Sequence, residues 1–249
     1  MSENENNIYG RNAVMEAIKS GAEIDKIMIQ KNIEGSGKKI FSMAKAKGIS
    51  LQSVDKIAID KLVGTGAHQG VVAIVSEFKY STLDDILTIS KEKGKEPFLI
   101  ILDGIEDPHN LGAIIRSAEG AGVDGIVIPK NRAASVNGTV IKVSAGAVSY
   151  LPVAKVSNIA NTISELKDRG VWTYGLDMDG QSYKSTDYKG GVALVIGSEG
   201  SGMSRIVKEA CDFIVSIPMY GHINSLNASN AAAIVMYEVA SGINKWLFV

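Results

Sequence analysis

The sequence predicts an α/β protein with a parallel sheet in its C-terminal part, and three observations lead to this class. Apolar segments of strand length, such as Phe98–Leu102 and Val192–Ile196, alternate with segments of helical period. Continuous apolar strands are expected where helices cover both faces of a sheet, and strand–helix alternation is typical of parallel pairing. Polar clusters follow three of the strands, at the edge where ligands bind on such sheets.

Residues 1–76 predict a small domain in which helices and strands alternate. The helix over 37–48 ends at Gly48, because glycine accepts the conformation that closes many helices. The other elements predicted here are helices over 13–19 and 55–64 and strands over 24–30, 49–54 and 70–78. Residues 77–96, which include the charge cluster Lys91–Glu96, are interpreted as a linker.

Residues 97–249 predict the larger α/β domain. Its first strand, Phe98–Leu102, is followed by a helix that Asn110 caps and that extends to about Gly122. The elements predicted after it are strands over 125–129, 171–177, 192–197 and 213–218 and helices over 158–170, 204–211 and 229–242. The polar clusters that follow strands are Asp107–Asn110, Gly197–Gly202 and Pro218–Asn227.

The charge of the chain does not by itself indicate a nucleic-acid partner. The 249 residues carry a formal net charge of −1. Residues 1–76 contain ten Lys and Arg against eight Asp and Glu, whereas the remainder contains sixteen against nineteen. RNA would therefore have to be bound by local patches of charge rather than by a field of the whole molecule.

Cysteine and histidine usage excludes two kinds of site. The single cysteine, Cys211, excludes an internal disulfide framework and fits a reducing cytoplasm; we interpret it as a small buried apolar side chain. The three histidines have no metal-ligand spacing, so no metal is expected. The N-terminus lacks the pattern of a signal peptide and no apolar run is long enough to cross a bilayer, so no membrane partner is expected.

The glycine-rich turn Gly197–Gly202 contains a carboxylate, Glu199, which phosphate-binding loops avoid. Its order is G-x-x-G-x-G on a late strand, unlike the G-x-G-x-x-G of dinucleotide-binding units, and there is no P-loop lysine. A carboxylate suits a ligand with hydroxyl groups or positive charge, such as a ribose or a sulfonium. The Glu199 carboxylate could equally hold a neighbouring basic side chain. Alternatively, the segment is a strand-to-helix turn without a ligand.

Three segments in a fixed order carry a family resemblance: DPHNLGAIIRSAEGAG, LVIGSEGSGMS and IPMYGHINSLNASNAAAI. They resemble the three motifs of the SpoU (TrmH/RlmB) ribose 2′-O-methyltransferases. The N-terminal segments IYGRNAVMEAI and AHQGVVA resemble the accessory RNA-binding domain of that family, which is similar to ribosomal protein L30 and L7Ae folds. The resemblance spans nearly the whole chain and is closest to the RlmB-type enzymes.

The resemblance implies a fold, a cofactor and partners that spacing alone does not indicate. The catalytic domain is expected to be an α/β knot of the SPOUT class, with a deep trefoil formed by its C-terminal segment. The methyl donor is expected to be S-adenosyl-L-methionine and the enzyme a homodimer. The expected reaction is methylation of a ribose 2′-hydroxyl in RNA, at a guanosine of 23S ribosomal RNA.

The resemblance also implies site residues. The polar catalytic positions that match the family are Asn110, Arg116, Glu199, Ser225 and Asn227. The positions expected to contact the donor, largely through backbone, are Gly197, Gly200, Ile217, Met219 and Leu226. The segment expected to face RNA in the N-terminal domain is Gly10, Arg11 and Asn12.

The chemistry of methyl transfer gives these residue types roles. Arginine is a poor base because its pKa exceeds about 12, so Arg116 is expected to stabilise the developing alkoxide and hold a phosphate. A transiently neutral Arg116 acting as base stays open, as does a surface arginine paired with Glu119. Glu199 is expected to orient Arg116 or a substrate group, and Asn110 to cap the helix that carries Arg116. Ser225 and Asn227 could alternatively cap the final helix.

We also consider two other classes of protein and one alternative within the same family. A nucleotide-binding oxidoreductase would carry G-x-G-x-x-G after an early strand, which the chain lacks. A non-catalytic RNA-binding protein would bind RNA without binding the donor, and the intact set of polar site residues disfavours it. A tRNA ribose 2′-O-methyltransferase is the alternative within the same family.

Overall fold

The computed structural model of the protein describes residues 7–20, 22, 24–64, 66–75 and 78–243, and the chain divides into two compact units. The first unit comprises Met1–Lys79 with Ser135–Ser149, and the second comprises Tyr80–Ala134 with Tyr150–Val249. The boundary expected between residues 76 and 77 lies outside the described residues. The first unit is discontinuous in sequence, which the order of predicted elements did not indicate.

Helices and strands alternate along the described residues. The strands are β1 (Asn7–Tyr9), β2 (Ile24–Gln30), β3 (Ser50–Val54), β4 (Val71–Val75), β5 (Phe98–Asp103), β6 (Gly125–Pro129), β7 (Val153–Val156), β8 (Val171–Ser182), β9 (Gly191–Gly197) and β10 (Phe213–Ser216). The helices are α1 (Arg11–Ser20), α2 (Ser36–Ala46), α3 (Lys56–Val63), α4 (Leu83–Glu92), α5 (Pro108–Gly120), α6 (Gly138–Val143), α7 (Ile159–Asp168), α8 (Arg205–Ala210) and α9 (Ala228–Ile243). Short 3₁₀ helices cover Gly66–His68, Ala147–Ser149 and Tyr183–Ser185.

The first unit is built on a four-stranded sheet in the order β1-β4-β2-β3. Strands β2 and β3 are parallel, whereas β4 is antiparallel to both β1 and β2. Val14 of α1 and Ile40 of α2 are buried in its core against Ile27 and Val71 of the sheet. The alternation of apolar and polar residues in β2 therefore reflects one face turned to the helices, as half-buried strands require.

Helix α6 accounts for the discontinuity of the first unit. Ile141 packs against the core of this unit, and Val140 is buried. A Cβ on Gly138 would lie 2.9 Å from the Ile8 side chain, so this helix begins close to β1. The continuous domain expected over 97–249 differs from the structure here, because residues 135–149 complete the core of the other unit.

The second unit is built on a six-stranded sheet in the order β10-β8-β9-β5-β6-β7. Every neighbouring pair in this sheet is parallel. Phe98–Leu102 and Val192–Ile196 lie on adjacent strands inside the sheet and are buried, as strands covered on both faces must be. The predicted α/β class and parallel sheet are confirmed, whereas the trefoil knot stays a prediction.

Most of the segment expected as a linker, residues 80–96, is folded into the second unit. Helix α4 begins with a capping box, in which Thr82 Oγ1 accepts from the Asp85 N–H at 3.1 Å and the Asp85 carboxylate accepts from the Thr82 N–H at 2.8 Å. Leu83 and Ile86 are buried in the core of this unit. The linker was predicted from the charge cluster Lys91–Glu96. In the structure this cluster begins in the last turn of α4 and continues beyond it, so most of the helix precedes the cluster.

Helix α5 begins earlier than the sequence predicts. The Asp107 side chain accepts a hydrogen bond from the His109 N–H at 2.9 Å, and Pro108 is the first helical residue. Proline is favourable at this position because its missing N–H would have no partner inside the helix. The prediction that Asn110 caps this helix is therefore wrong. Asn110 lies in the first turn, where its side chain is available to partners outside the helix.

The carboxyl ends of β5 and β9 lie side by side in the second unit, next to the middle of β8. Asp103 at the end of β5 is in register with Gly197 at the end of β9. Leu176 of β8 is in register with Ile196 of β9. The residues that follow these positions therefore meet at one edge of the sheet, where parallel α/β sheets bind ligands.

Candidate active site

The glycine-rich turn after β9 is folded tightly on itself. Ser198 and Gly202 form an antiparallel bridge, with both N–H···O distances at 3.0 Å. A Cβ on Gly197 would lie 2.1 Å from the Gly202 carbonyl carbon, which no side chain could tolerate. Gly200 and Gly202 have φ of +85° and +66°, the region that favours glycine. The spacing G-x-x-G-x-G thus supplies one close backbone approach and two left-handed positions.

The Glu199 carboxylate joins three segments of the second unit. Its Oε1 accepts from Asn110 Nδ2 at 3.1 Å, from Asn227 Nδ2, and from the Ala228 N–H at 3.3 Å. Asn227 Nδ2 also donates to Asn110 Oδ1 at 3.0 Å. The side chains of Asn110, Glu199 and Asn227 therefore form a closed triangle of hydrogen bonds between α5, the glycine-rich turn and the start of α9.

Asn227 is also the N-terminal cap of α9. Its Oδ1 accepts from the backbone N–H groups of Ser229 at 3.0 Å and Asn230 at 3.4 Å and from Ser229 Oγ at 2.5 Å. The capping role and the site role that the sequence offered as alternatives therefore hold together. The cap fixes the side chain, so that its amide nitrogen faces Glu199 and Asn110.

A cavity of about 670 Å³ lies beside this triangle. It is bordered by residues 176–178 of β8, the glycine-rich turn and the segment from β10 to α9. All the predicted donor-contact residues line it: Gly197, Gly200, Ile217, Met219 and Leu226. Three of the predicted catalytic residues also line it: Glu199, Ser225 and Asn227. Its volume is within the usual range for a small-molecule site.

Arg116 lies on α5 and is exposed. Six residues along a helix place it about 120° around the axis and about 9 Å along it from Asn110. Its guanidinium has no hydrogen-bond or ion-pair partner among the residues that the structure describes. The expected orientation of Arg116 by Glu199, and the alternative pair with Glu119, are therefore both absent from the described residues. The guanidinium is left available for a substrate.

Two carboxylates at this sheet edge were missed by the sequence analysis. Asp103 accepts a hydrogen bond from the Ser204 N–H at 2.7 Å and so fixes the residue before α8. Asp177 lines the cavity and lies 3.2 Å from Lys208 Nζ. The available signal was their position at the ends of the strands predicted over 98–102 and 171–177, because residues at such ends face the ligand edge of a parallel sheet.

Cys211 has the surroundings of a structural thiol. Its Sγ donates to the Val207 carbonyl oxygen at 3.3 Å, and it packs against the core of the second unit. Burial raises the pKa of this thiol to about 12. Because the thiolate is the nucleophilic form, this position does not supply a nucleophile at neutral pH.

The segment expected to face RNA lies in the first unit, at the start of α1. Arg11 Nε donates to the Gln69 carbonyl oxygen at 3.1 Å, and its Nη1 donates to the Glu34 carbonyl oxygen at 3.0 Å. Gly10 has φ of +91°, which turns the chain into the helix. Arg11 therefore ties three loops of its unit together. Contact of Gly10, Arg11 and Asn12 with RNA stays a prediction.

The described residues contain neither a metal-binding cluster nor a membrane-spanning helix. Within residues 7–243, omitting the gaps given above, no group of three His, Cys, Asp or Glu side chains could hold a metal ion. Among the described helices, none combines the length and apolar character needed to cross a membrane.

Two family models match the chain. The SpoU rRNA methylase family matches residues 97–237, and the family of RNA 2′-O ribose methyltransferase substrate-binding domains matches residues 7–81. A relative from Bacillus subtilis, YacO, which is assigned to the TrmH family of tRNA/rRNA methyltransferases, is 46% identical over 241 residues and covers 96% of each chain. The sequence similarity therefore extends over both units.

Two solved structures are similar along most of the chain. The SpoU methyltransferase AviRb from Streptomyces viridochromogenes, in complex with AdoMet, has a TM-score of 0.72 at 25% identity and covers 94% of this chain and 89% of that one. The AdoMet-bound rRNA methyltransferase from Sinorhizobium meliloti has a TM-score of 0.73 at 25% identity, with coverage of 96% and 87%.

Proposed function

This chain belongs to the SpoU family of RNA methyltransferases, and we propose that it transfers a methyl group from S-adenosyl-L-methionine to a ribose 2′-hydroxyl of structured RNA. The proposed substrate is a guanosine of large-subunit (23S) ribosomal RNA. A tRNA substrate is the second candidate, because the relative YacO is assigned to both substrate classes. The reaction is placed in the cytoplasm, where these RNAs are made.

The observation that carries the proposal is the position of the cavity beside the triangle of Asn110, Glu199 and Asn227. The cavity combines exposed backbone of the glycine-rich turn with the apolar side chains of Ile217, Met219 and Leu226. S-adenosyl-L-methionine, the donor of the family, supplies a methyl group on a cationic sulfur. Backbone groups and apolar side chains suit its adenine, and the polar groups of the lining suit its polar and charged parts.

The residues of the triangle act by holding other groups in place. Glu199 Oε1 fixes both amide side chains, which fixes the first turn of α5 relative to the first turn of α9. Reacting groups held in a fixed geometry lose less entropy in the transition state. Ser225 lines the cavity, and its proposed role is to contact the reacting ribose.

Arg116 has the proposed role of stabilising the developing alkoxide and holding an adjacent phosphate. Its exposure and its lack of a partner among the described residues support this role. A guanidinium can donate to two oxygens at once, which suits a phosphate beside the reacting hydroxyl. The proton of the 2′-hydroxyl then leaves to solvent rather than to arginine, which stays protonated because its pKa is above about 12.

The first unit is proposed to read the RNA. Residues 7–81 match a substrate-binding family, and the start of this segment contains Gly10, Arg11 and Asn12. The enzyme is further proposed to act as a homodimer, which sedimentation of the purified chain would check.

The deciding experiment is methylation of unmodified RNA. Unmodified 23S ribosomal RNA and tRNA are incubated separately with the protein and labelled S-adenosyl-L-methionine, and 2′-O-methyl sites are mapped. The proposal expects one ribose methylated in 23S ribosomal RNA. Methylation of tRNA alone would favour the second candidate, and donor binding without transfer to either RNA would contradict an RNA methyltransferase of this kind.

A further inference from the structure

We infer that Asp177 binds the ribose hydroxyls of the methyl donor's adenosine and that Lys208 is a positioning residue for this carboxylate. The inference deepens the proposed function and rests on it. Its starting observation is that two carboxylates, Asp177 and Glu199, line the cavity within the described residues. These two carboxylates have different partners, and the difference assigns them different roles.

The Glu199 carboxylate is already hydrogen-bonded to groups of the protein. Its Oε1 accepts from the side chains of Asn110 and Asn227 and from the Ala228 backbone. Because one oxygen of this carboxylate accepts from three N–H donors of the protein, we assign Glu199 a structural role. Asp177, in contrast, receives no side-chain amide among the described residues.

Asp177 lies at the right place for a ligand of the glycine-rich turn. Its neighbour Leu176 is in register with Ile196, which directly precedes Gly197. Asp177 Oδ2 is 3.7 Å from the position that a Cβ on Gly202 would occupy. The absence of side chains on this turn therefore leaves space in front of the carboxylate.

The Asp177 carboxylate is held on two sides. Its Oδ1 accepts from the Met178 N–H at 2.7 Å, and its Oδ2 is 3.2 Å from Lys208 Nζ on α8. Each carboxylate oxygen has room for a second hydrogen bond, and the side chain keeps 21% of its surface exposed. Two vicinal hydroxyls can donate to the two oxygens of one carboxylate.

An ion pair alone does not account for Asp177. Lys208 already has Asp179 as a partner, with both carboxylate oxygens of Asp179 within 2.9 Å of its Nζ. Asp179 does not line the cavity, and 69% of its side chain is exposed. The same lysine thus joins one solvent-facing carboxylate and one cavity-facing carboxylate. An acidic side chain also binds the ribose 2′-hydroxyl in dinucleotide-binding α/β folds.

The test measures a ratio of affinities on the full chain. Calorimetry gives the affinity for S-adenosylhomocysteine and for its 2′,3′-dideoxy analogue. The wild type is expected to prefer the ribose form by about 10- to 100-fold, because a hydrogen bond to a charged group is worth that much. Asp177→Ala should bring this ratio close to one while leaving the affinity for the dideoxy analogue within about 2-fold.

Lys208→Met should lower the ratio partway, because the carboxylate loses one of its two fixed contacts. Asp179→Asn is the matched control: it changes the same charge beside the same lysine and should leave the ratio unchanged. An Asp177→Ala ratio equal to that of the wild type would overturn this inference alone. A wild type that does not bind S-adenosylhomocysteine would overturn the proposed function and this inference together.

Discussion

The amide nitrogen of Asn227 donates a hydrogen bond to Asn110 Oδ1 at 3.0 Å, although 117 residues separate the two in sequence. The bond links the first turn of α5 to the cap of α9, and both side chains also bind Glu199. Asn227→Ala should remove the cap and this link together. The stability should fall by about 0.5–2 kcal/mol, and the methylation rate by about 10- to 100-fold.

Asn158 provides the control for that variant. Its side chain accepts from the Asn161 N–H at 3.0 Å and caps α7, away from the cavity lining. Asn158→Ala should cost a similar amount of stability in urea unfolding but keep the single-turnover methylation rate. Equal rates for Asn227→Ala and Asn158→Ala would mean that Asn227 is a helix cap and nothing more.

Arg116→Ala should slow methylation by about 100-fold or more, because a group that stabilises developing negative charge acts mainly in the transition state. The affinity for S-adenosylhomocysteine should stay within about 2-fold, since Arg116 does not line the cavity. Arg116→Lys should also be slow, because lysine loses the planar fork. Glu119→Gln, on the same helix, should have no effect in the same single-turnover assay. A wild-type rate in Arg116→Ala would exclude this residue from the mechanism.

Gly197→Ala should disrupt the glycine-rich turn. The added Cβ would lie 2.1 Å from the Gly202 carbonyl carbon and 2.2 Å from the Met203 nitrogen, and backbone cannot move aside as a side chain can. We expect a stability loss of about 1–3 kcal/mol and donor binding weakened at least 10-fold by calorimetry. Gly221→Ala is the control, because a Cβ there meets nothing within 4 Å. Normal donor binding in Gly197→Ala would contradict the geometry of this turn.

Asp212 should make the second unit sensitive to acid. Desolvation by burial opposes the charged form, but hydrogen bonds from Lys167 and from Thr173 outweigh it and lower the pKa of Asp212. A carboxylate with a lowered folded-state pKa contributes stability above its unfolded pKa, near 3.9, and loses it as the pH falls through the folded value. Asp212→Asn should therefore be about 1–3 kcal/mol less stable at pH 7 and closer to the wild type at pH 3.

Urea unfolding followed by tryptophan fluorescence measures this effect, because Trp172 is adjacent to Thr173 on β8. The exposed pair of Asp187 and Lys189 serves as the comparison. Asp187→Asn should change stability by less than about 1 kcal/mol at either pH. A constant difference between wild type and Asp212→Asn from pH 7 to pH 3 would show that the charge of Asp212 is not what stabilises the fold.

Cys211 should resist alkylation in the folded protein. With a pKa of about 12, its thiolate fraction at pH 8 is on the order of 10⁻⁴. Iodoacetamide should modify it only after unfolding, as mass spectrometry of native and urea-treated samples would show. Cys211→Ala should keep full methylation activity. Rapid modification of the native protein with loss of activity would give the thiol a functional role.

The parts of the fold that the sequence predicted are those fixed by local pattern. Phe98–Leu102 and Val192–Ile196 are continuous apolar runs, and both are buried strands. The sequence predicts the cap of α5 at Asn110, whereas the structure has it at Asp107, a residue type that caps helices equally well. The proline between them decides the start, since it is best accommodated at the first helical residue.

The pairings inside the site could not be predicted from spacing. The family resemblance supplied Asn110, Glu199 and Asn227 as separate residues, but their mutual hydrogen bonds depend on three segments meeting at one sheet edge. Glu199 was expected to orient Arg116 or a substrate group. In the structure its Oε1 accepts from the side-chain amides of Asn110 and Asn227 and from the Ala228 N–H. Asp177 was missed because the groups around it, the glycine-rich turn and Lys208, are distant from it in sequence, so that spacing does not bring them together.

The discontinuity of the first unit limits how this protein could be recombined. The chain passes from one unit to the other after residues 79, 134 and 149. A gene fusion that exchanged only the first 79 codons would import part of a foreign first unit without a counterpart of Ile141, which packs against the core of this unit. Substrate specificity could then change by domain exchange only if two distant stretches of the gene were inherited as a pair. Residues 1–79 and 135–149 should accordingly evolve as one cassette, although 55 codons of catalytic sequence separate them.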